Sequence, residues 1–220
     1  MSIFSLKEVK SEQVKNIANN NLASWPESAT YGYFGGGSPP ITNLISRLDF
    51  SNETASDPGK NLPVTLGYAG GTASSFYGYF GGGETPNAIS TITRLDFSNE
   101  TVSDPGNNLP TAVYSLVGTS SNSYGYFGGG QTPTYINTVT RLDFSNETVS
   151  NPGKNLPTAR AELASVSSGF YGYFGGGETA ITPTNISTIS RLDFSTESVS
   201  NPGKNLYSAR NGLTAISDSN

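Results

Sequence analysis

Aromatic and glycine positions recur along this chain with a period of 46 or 47 residues. The heptapeptide Tyr-Gly-Tyr-Phe-Gly-Gly-Gly begins at Tyr31, Tyr77, Tyr124 and Tyr171. The tetrapeptide Arg-Leu-Asp-Phe follows in each repeat and begins at Arg47, Arg94, Arg141 and Arg191. A period of this size is typical of one supersecondary unit that is copied and stacked. The pattern therefore predicts a repeat protein of four units.

Within one repeat, the alternation of side chains predicts four short antiparallel strands. In the third repeat they are residues 124–127, 138–144, 148–150 and 163–166, which are rich in aromatic and β-branched residues or in small apolar ones. The sequence Asn151-Pro152-Gly153-Lys154 predicts a type II turn, with proline and then glycine at its centre. Four strands in about 47 residues is the size of one blade of a β-propeller.

One connection varies between the repeats while the rest keeps its length. From the Phe of Arg-Leu-Asp-Phe to the next Tyr-Gly-Tyr-Phe the distance is 27 residues at all three junctions. Between the triple glycine and the arginine there are 9, 10, 10 and 13 residues. In repeat proteins such variation maps to loops on one face, which is often the binding face. The variable connections are Ser38–Ser46, Glu84–Thr93, Gln131–Thr140 and Glu178–Ser190.

The composition excludes several classes of function. The 220 residues include no Cys and no His, so thiol nucleophiles, Ser-His-Asp triads and His-ligated metals are ruled out. The net charge of −5 argues against a nucleic-acid partner, which requires a basic surface. No apolar stretch approaches the roughly 20 residues of a membrane-spanning helix, and the N-terminus shows no secretory signal. We expect a non-enzymatic protein without catalytic residues, metal site or cofactor.

The motifs resemble the kelch repeat. Gly82-Gly83 matches the double glycine of that family, Leu95-Asp96 its Tyr-Asp pair, and Leu156 to Arg160 its Leu-Pro…Arg link. The family's Trp falls on Val149 in the third repeat, which makes the chain a divergent relative. The resemblance covers about 190 of the 220 residues. It implies an all-β fold, a kelch-like β-propeller of four four-stranded blades.

More narrowly, the near-identical repeats are similar to kelch-like proteins encoded by marine bacteriophages, including cyanophages. That resemblance implies a component of the virion or phage tail that contacts a host surface, with a glycan as one possible ligand. The alternative is a cellular kelch-type module for protein–protein interaction, which would be cytoplasmic because no signal peptide is visible.

In kelch propellers the variable loops and the arginine-bearing links line one face and bind the ligand. The resemblance places the ligand-binding residues at Glu84, Asn87, Gln131, Tyr135, Glu178, Asn185, Arg160 and Arg210. Tyr135 is the one aromatic residue among these loops, and an exposed aromatic ring can stack on a sugar. The competing interpretation is that the loops are solvated and bind nothing.

The ends of the chain raise the question of how the ring closes. Residues 1–24 fit no repeat and predict an arm or short helix that attaches other virion proteins, while residues 25–220 form the propeller. We expect Leu213 to Ile216 to pair beside Tyr31 to Phe34 and to close the ring, which removes an exposed sheet edge. In the alternative, Leu22 to Ser24 supplies that strand, and the C-terminal strand is left to pair with another chain.

Two further repeated patterns predict structure rather than binding. The tyrosine pairs, such as Tyr31 and Tyr33, recur identically, so we expect them to pack between blades. Arg94 and Asp96 lie two residues apart on one strand, and we expect them and their copies to form an ion pair along that strand.

Overall fold

The computed structural model describes residues 30–217, which are all-β and contain no helix. The first sheet contains β1 (Tyr31–Gly35), β2 (Thr42–Asp49), β3 (Thr54–Ser56) and β4 (Asn61–Leu66). The second contains β5 (Gly70–Ala73), β6 (Tyr77–Gly81), β7 (Ile92–Asp96) and β8 (Val102–Ser103). The third contains β9 (Val117–Ser120), β10 (Tyr124–Gly128), β13 (Val139–Asp143) and β14 (Val149–Ser150). The fourth contains β15 (Ala164–Ser167), β16 (Tyr171–Gly175), β17 (Ile189–Asp193) and β18 (Val199–Ser200), and a separate ribbon contains β11 (Gln131–Thr132) and β12 (Thr134–Tyr135).

The chain divides into two compact units, residues 1–32 with 48–54, and residues 33–47 with 55–220. Of the smaller unit the structure describes residues 30–32 and 48–54. Its hairpin turn is stabilised locally: the Ser51 N–H donates to Asp49 Oδ1 at 2.8 Å, and the Thr54 N–H donates to Asn52 Oδ1 at 3.0 Å. The same side-chain turns recur in the larger unit, where Ser145 donates to Asp143 and Thr148 to Asn146. Asp and Asn favour these turns because their oxygens accept from the backbone two residues on.

Sheets two to four are antiparallel meanders with one shared register. In the third sheet Tyr126 lies opposite Arg141, and Gly128 lies opposite Val139. The first strands of these sheets stack on each other: Ser165 Oγ donates to the Gly118 carbonyl at 2.7 Å, and Thr72 Oγ1 donates to the Thr119 carbonyl at 3.1 Å. A Cβ at Gly118 would meet the Gly71 carbonyl of the neighbouring sheet, so this close approach requires glycine.

Three apolar clusters between neighbouring sheets form the core of the larger unit. The first is built from residues of β2 and β4, and the other two from inward-facing strand residues together with the leucines of the links. The first contains Ile45, Leu62 and Leu66; the second Tyr79, Ile92, Leu109, Val113, Leu116, Phe127 and Leu142; the third Tyr126, Val139, Leu156, Leu163, Phe174 and Leu192. Burial of each large apolar side chain contributes about 1.5–3 kcal/mol, so the junctions between sheets hold the unit together.

One junction, between the second and third repeats, shows how neighbouring sheets are joined. Tyr79 stacks on Phe144 with ring centroids 5.5 Å apart, which confirms the predicted packing of tyrosines between repeats. Glu147 of the third repeat accepts from Arg94 Nη1 at 3.0 Å and from the Tyr79 hydroxyl at 3.1 Å. A Cβ on Gly81 would lie 2.7 Å from the Phe127 ring. The same contacts recur one repeat earlier and one repeat later.

The predicted pairing of Arg94 with Asp96 along one strand is wrong. The arginine instead reaches the glutamate of the next repeat, where burial against the tyrosine ring and a carboxylate are both available. Asp96 accepts from the Ser98 N–H and hydroxyl, and these hydrogen bonds lower the pKa of its carboxyl. The ion pairs therefore join repeats rather than residues of one strand.

The predicted set of four antiparallel four-stranded sheets is confirmed, and ring closure is not shown. Leu213 to Ile216 belong to no strand, and Ile216 is 92% exposed. The predicted N-terminal arm, residues 1–24, and the alternative strand Leu22 to Ser24 lie outside the described residues.

Candidate ligand-binding site

The variable connections begin beside the links, which are the segments that lead into the first strand of the next sheet. Connections and links lie at the same end of the sheets. The connections of the second, third and fourth repeats each start with a residue that exchanges backbone hydrogen bonds with a link residue, so that loop and link form one surface. These pairs are Glu84 with Gly67, Gln131 with Tyr114, and Glu178 with Ala161. The geometry therefore places variable loops and links together, as the sequence predicts for a binding face.

The loop of the third repeat is folded back on itself by the ribbon β11–β12, which pairs Gln131 with Tyr135. The Tyr135 hydroxyl donates to Glu178 Oε1 of the fourth repeat at 2.6 Å. This hydrogen bond, followed by burial, raises the pKa of Tyr135 to about 12. The phenol therefore stays neutral and remains a donor through the physiological range.

Asn211 connects the same carboxylate to a second one. Its Nδ2 donates to Glu178 Oε2 at 2.9 Å and to Glu162 Oε2 at 2.8 Å. We call Tyr135, Glu162, Glu178 and Asn211 the loop cluster. Carboxylate oxygens have lone pairs beyond those used here, so the loop cluster presents hydrogen-bond acceptors beside an aromatic ring. Within residues 30–217 no three His, Cys, Asp or Glu side chains are placed to hold a metal ion.

A backbone ladder below the loop cluster fixes the position of Glu162. Tyr68, Ser115 and Glu162 take φ values of 55°, 55° and 52°. The Ser115 N–H donates to the Tyr68 carbonyl at 2.8 Å, the Glu162 N–H to the Ser115 carbonyl at 3.1 Å, and the Gly212 N–H to the Glu162 carbonyl at 2.9 Å. Residues other than glycine rarely adopt this left-handed conformation. The ladder holds it in each repeat and turns these side chains toward the surface, where Tyr68 is 51% exposed.

Of the eight residues predicted to bind a ligand, four come together. Tyr135 and Glu178 share a hydrogen bond, Gln131 is the ribbon partner of Tyr135, and Asn185 forms a backbone bridge with Glu178.

The predicted residues of the second repeat lie in their own loop. The Asn87 carbonyl accepts from the Thr85 N–H at 2.9 Å, and the Glu84 N–H donates to the Gly67 carbonyl at 2.9 Å. Asn87 is exposed and Glu84 is half-buried.

The two predicted arginines have opposite surroundings. Arg160 is fully buried, and its guanidinium donates to the carbonyls of Phe174 and Thr188 and to Ser190 Oγ at 3.0–3.1 Å. Burial lowers the pKa of Arg160 to about 10, so it stays charged at neutral pH. Its side chain ties the fourth sheet together and offers no surface to a ligand. Arg210 is exposed, and its carbonyl accepts from the Gly177 N–H, next to Glu178.

Glu162 and Asn211 were not predicted, because they lie in links of constant length, whereas the variation between repeats pointed to the other connections. One signal marks the position of Glu162: Gly212 occupies the repeat position of Tyr68, Ser115 and Glu162, and glycine suits a positive φ. A chemically variable residue at a strained backbone position is a feature of functional sites.

The opposite end of the sheets carries two shallow grooves between neighbouring repeats, with volumes of about 390 and 330 Å³. Asn122 and Tyr124 line both grooves. Phe76 borders the first and is 72% exposed, and Phe170 borders the second and is 76% exposed. These grooves give a second location at which a ligand can be tested.

Residues 30–217 contain no helix with the length and apolarity needed to cross a lipid bilayer. No family model matches the chain, and no curated protein matches it.

Proposed function

We propose that this protein is a non-enzymatic binding protein of a phage virion or tail and that it contacts a host-surface glycan through the loop cluster. The observation that carries the proposal is the convergence of Tyr135, Glu162, Glu178 and Asn211 on the face where the repeats differ. A scaffold repeated almost without change supports side chains that are not repeated.

The chemistry of the loop cluster suits a hydroxyl-rich ligand. Sugar hydroxyls donate to carboxylates, and hydrogen bonds to a charged group are worth about 1.5–3 kcal/mol. Glu162 and Glu178 supply four carboxylate oxygens, and Asn211 holds the two side chains together. Tyr135 adds an aromatic ring whose hydroxyl is already satisfied, which leaves its ring as the surface for stacking.

The resemblance to phage-encoded kelch-like proteins supports the assignment to a virion. In this proposal the four sheets are blades of a kelch-like propeller, and residues 1–24 attach it to other virion proteins. Closure of the ring within one chain by Leu213 to Ile216 stays a prediction. Genes for tail proteins beside the gene of this protein are the expected neighbourhood.

A glycan-array screen of the full chain tests the binding site. Tyr135→Ala removes the stacking ring, and Glu162→Asn replaces the carboxylate by a shorter, uncharged amide while keeping a residue that tolerates positive φ. We expect each variant to lose about tenfold in affinity, which corresponds to about 1.4 kcal/mol. Asn122→Ala, in the grooves at the opposite end, is the matched control and should bind as the unmodified protein does.

Two results would contradict the proposal. Loss of binding in Asn122→Ala alone would place the ligand in the grooves between repeats. If the chain bound no glycan on the array, a carbohydrate ligand would be excluded. The hypothesis to test would then be a peptide-binding module of kelch type.

A further inference from the structure

The turns at the end of the sheets opposite to the loop cluster have a backbone that is fixed in the same way in three repeats. In the second repeat Ser74 Oγ accepts from the Phe76 N–H at 3.2 Å and from the Tyr77 N–H at 3.0 Å. The Phe76 carbonyl accepts from the Phe97 N–H at 3.0 Å. The same hydrogen bonds recur one and two repeats later. They hold the turn in place whatever side chain it carries at its third position.

That third position varies between the repeats. It carries Phe76, Ser123 and Phe170 in the second, third and fourth repeats, and the two phenylalanines are 72% and 76% exposed. Ser123 shows that the turn forms without an aromatic side chain. Large exposed apolar side chains mark interaction sites, and a side chain on a fixed backbone loses less conformational freedom on binding. The two phenylalanines are therefore suited to contact a partner.

Each phenylalanine borders one of the two grooves between neighbouring repeats. Phe76 lines the first groove, with a volume of about 390 Å³, and Phe170 lines the second, with a volume of about 330 Å³. Residues 122–124 line both grooves, so the two lie side by side on the larger unit. One extended ligand can therefore reach both grooves.

Each groove also contains a carboxylate, that of Asp143 in the first and that of Asp193 in the second. The N–H and hydroxyl of Ser145 donate to Asp143 Oδ1 at 2.8 and 2.6 Å, and those of Ser195 donate to Asp193 Oδ1 at 2.9 and 2.6 Å. These hydrogen bonds lower the pKa of both carboxyls, so both are charged at neutral pH. The serines use one oxygen of each carboxylate, and the other oxygen can accept from a ligand.

The charge in the grooves favours a cationic ligand. Among the described residues that line either groove there is no Lys or Arg. Arg141 also lowers the pKa of Asp143, but it is paired with Glu197 at 2.9 Å. A lysine or arginine side chain matches a carboxylate beside a phenylalanine, because its apolar stem packs on the ring while its charged head stays at the polar group. An uncharged sugar offers no such match of charge.

We propose that the two grooves bind an extended segment of a partner protein that carries two basic side chains, one for each groove. The stem of one packs against Phe76 and its head donates to Asp143, and the second does the same at Phe170 and Asp193. Two linked contacts strengthen binding, because the second forms within the same complex as the first. This site lies at the opposite end from the loop cluster and does not depend on a glycan there.

Fluorescence anisotropy with labelled peptides tests the proposal on the full chain. The probes carry two lysines separated by Gly-Ser spacers of increasing length. We expect binding to be strongest at one spacer length and to weaken as salt is added, because salt screens exposed charges. The same peptides with both lysines acetylated keep the stems without the charge, and they should not bind.

Paired substitutions of aspartate separate the grooves from the charge of the whole chain. Asp143→Asn with Asp193→Asn keeps an acceptor for the serines but removes both charges, and should weaken binding about tenfold. Asp57→Asn with Asp104→Asn is the matched control. Both residues are exposed and lie outside the groove linings, and the third and fourth repeats already carry asparagine at their position. The control pair should bind as the unmodified protein does.

Substitution of the phenylalanines tests the contact with the stems. Phe76→Ser with Phe170→Ser reproduces the residue of the third repeat, so the melting temperature should not change while peptide binding weakens.

Four outcomes would overturn the inference. No peptide could bind at any spacer length, or the acetylated peptides could bind as well as the charged ones. The control pair of aspartates could lose as much affinity as the groove pair, which would leave only attraction to net charge. Binding of a glycan that Asn122→Ala abolishes would assign the grooves to carbohydrate. None of the peptide results bears on the loop cluster, whose own variants, Tyr135→Ala and Glu162→Asn, test glycan binding separately.

Discussion

Gly128 and Gly175 end the same Tyr-Gly-Tyr-Phe-Gly strand in the third and fourth repeats, yet their surroundings differ. The Phe174 ring lies 2.5 Å from the place of a Cβ on Gly128, whereas Gly175 has no ring within that range. Tyr126 is fully buried, and Tyr173 is only half-buried. Identical sequence thus produces a buried position in one repeat and a half-buried position in the next.

The comparison teaches that a repeat determines only half of each junction. The Tyr, Gly and Arg of one repeat form one side of the interface, and the Phe residues and Glu of the next repeat pack against it. A residue's contribution to stability therefore depends on whether a further repeat covers it. The same substitution should lower the free energy of unfolding more in a covered repeat than in an uncovered one.

Alanine substitution of Arg160 and of Arg210 should give the largest difference in the free energy of unfolding. Both end the Leu-x-x-x-Arg link, but only Arg160 is buried, where it donates to Phe174, Thr188 and Ser190. Arg160→Ala leaves a cavity and acceptors without a donor, and should lower the free energy of unfolding by about 3 kcal/mol. Arg210→Ala should change it by less than about 0.5 kcal/mol. Urea unfolding followed by circular dichroism measures both, and equal losses would contradict the burial of Arg160.

Valine substitution of Gly81 and of Gly175 should give the next largest difference in stability. Gly81→Val forces the second and third sheets apart, because Phe127 lies 2.7 Å from the new Cβ, and overpacking of this kind costs about 2 kcal/mol. Gly175→Val should cost less than about 0.5 kcal/mol in dilute protein. Thermal unfolding of both variants beside the unmodified chain tests the difference. Equal destabilisation by the two substitutions would contradict the difference in the surroundings of these glycines.

The covered tyrosines should make stability depend on alkaline pH. Burial first, and then the neighbouring glutamates, raise the pKa of Tyr79 and Tyr126. A raised folded-state pKa gives stability that is complete below the unfolded pKa of about 10 and is lost as the pH rises further. The loss should approach about 1.4 kcal/mol per pH unit for each tyrosine. Chemical unfolding at successive pH values should show a shallower decline in a Tyr79→Phe, Tyr126→Phe double variant; an unchanged decline would refute the assignment.

Glutamine substitution of Glu147 and of Glu53 should give the smallest difference in stability. Glu147 accepts from both Arg94 and Tyr79, and Glu147→Gln removes the charge from these contacts. Because the pair is partly exposed, the expected loss is about 1 kcal/mol. Glu53→Gln, at the same repeat position, should be neutral in dilute protein. Urea midpoints compare the two, and a double variant with Arg94→Gln measures how much of the loss belongs to the pair.

The strands and turns were predictable because each depends on a few neighbouring residues. The third repeat was predicted to have strands at 124–127 and 138–144, and the structure has them at Tyr124–Gly128 and Val139–Asp143. The Asn151 to Lys154 turn was predicted from proline and glycine, and Gly153 has a φ of 74°. Alternation, β-branched residues and turn chemistry act over fewer than ten residues, so a repeated sequence displays them four times.

The loop cluster was only partly predictable. Tyr135 and Glu178 stood out because they lie in connections that vary. Glu162 and Asn211 lie 49 residues apart in links of constant length and meet only because the backbone ladder brings the links together. Arg160 was predicted to bind a ligand because of the resemblance to the kelch repeat, but it is buried, and its burial depends on the fourth sheet packed against it.

The sequence by itself determined the repeat, its strands and turns, and the end of the sheets at which the repeats differ. Only the tertiary structure decided that arginines pair between repeats, that Arg160 is buried while Arg210 is exposed, and that Gly175 lacks the phenylalanine ring that lies against its copies. The physical reason is range: propensity and alternation are local, whereas burial and pairing depend on which surface lies opposite, and identical repeats do not have identical neighbours.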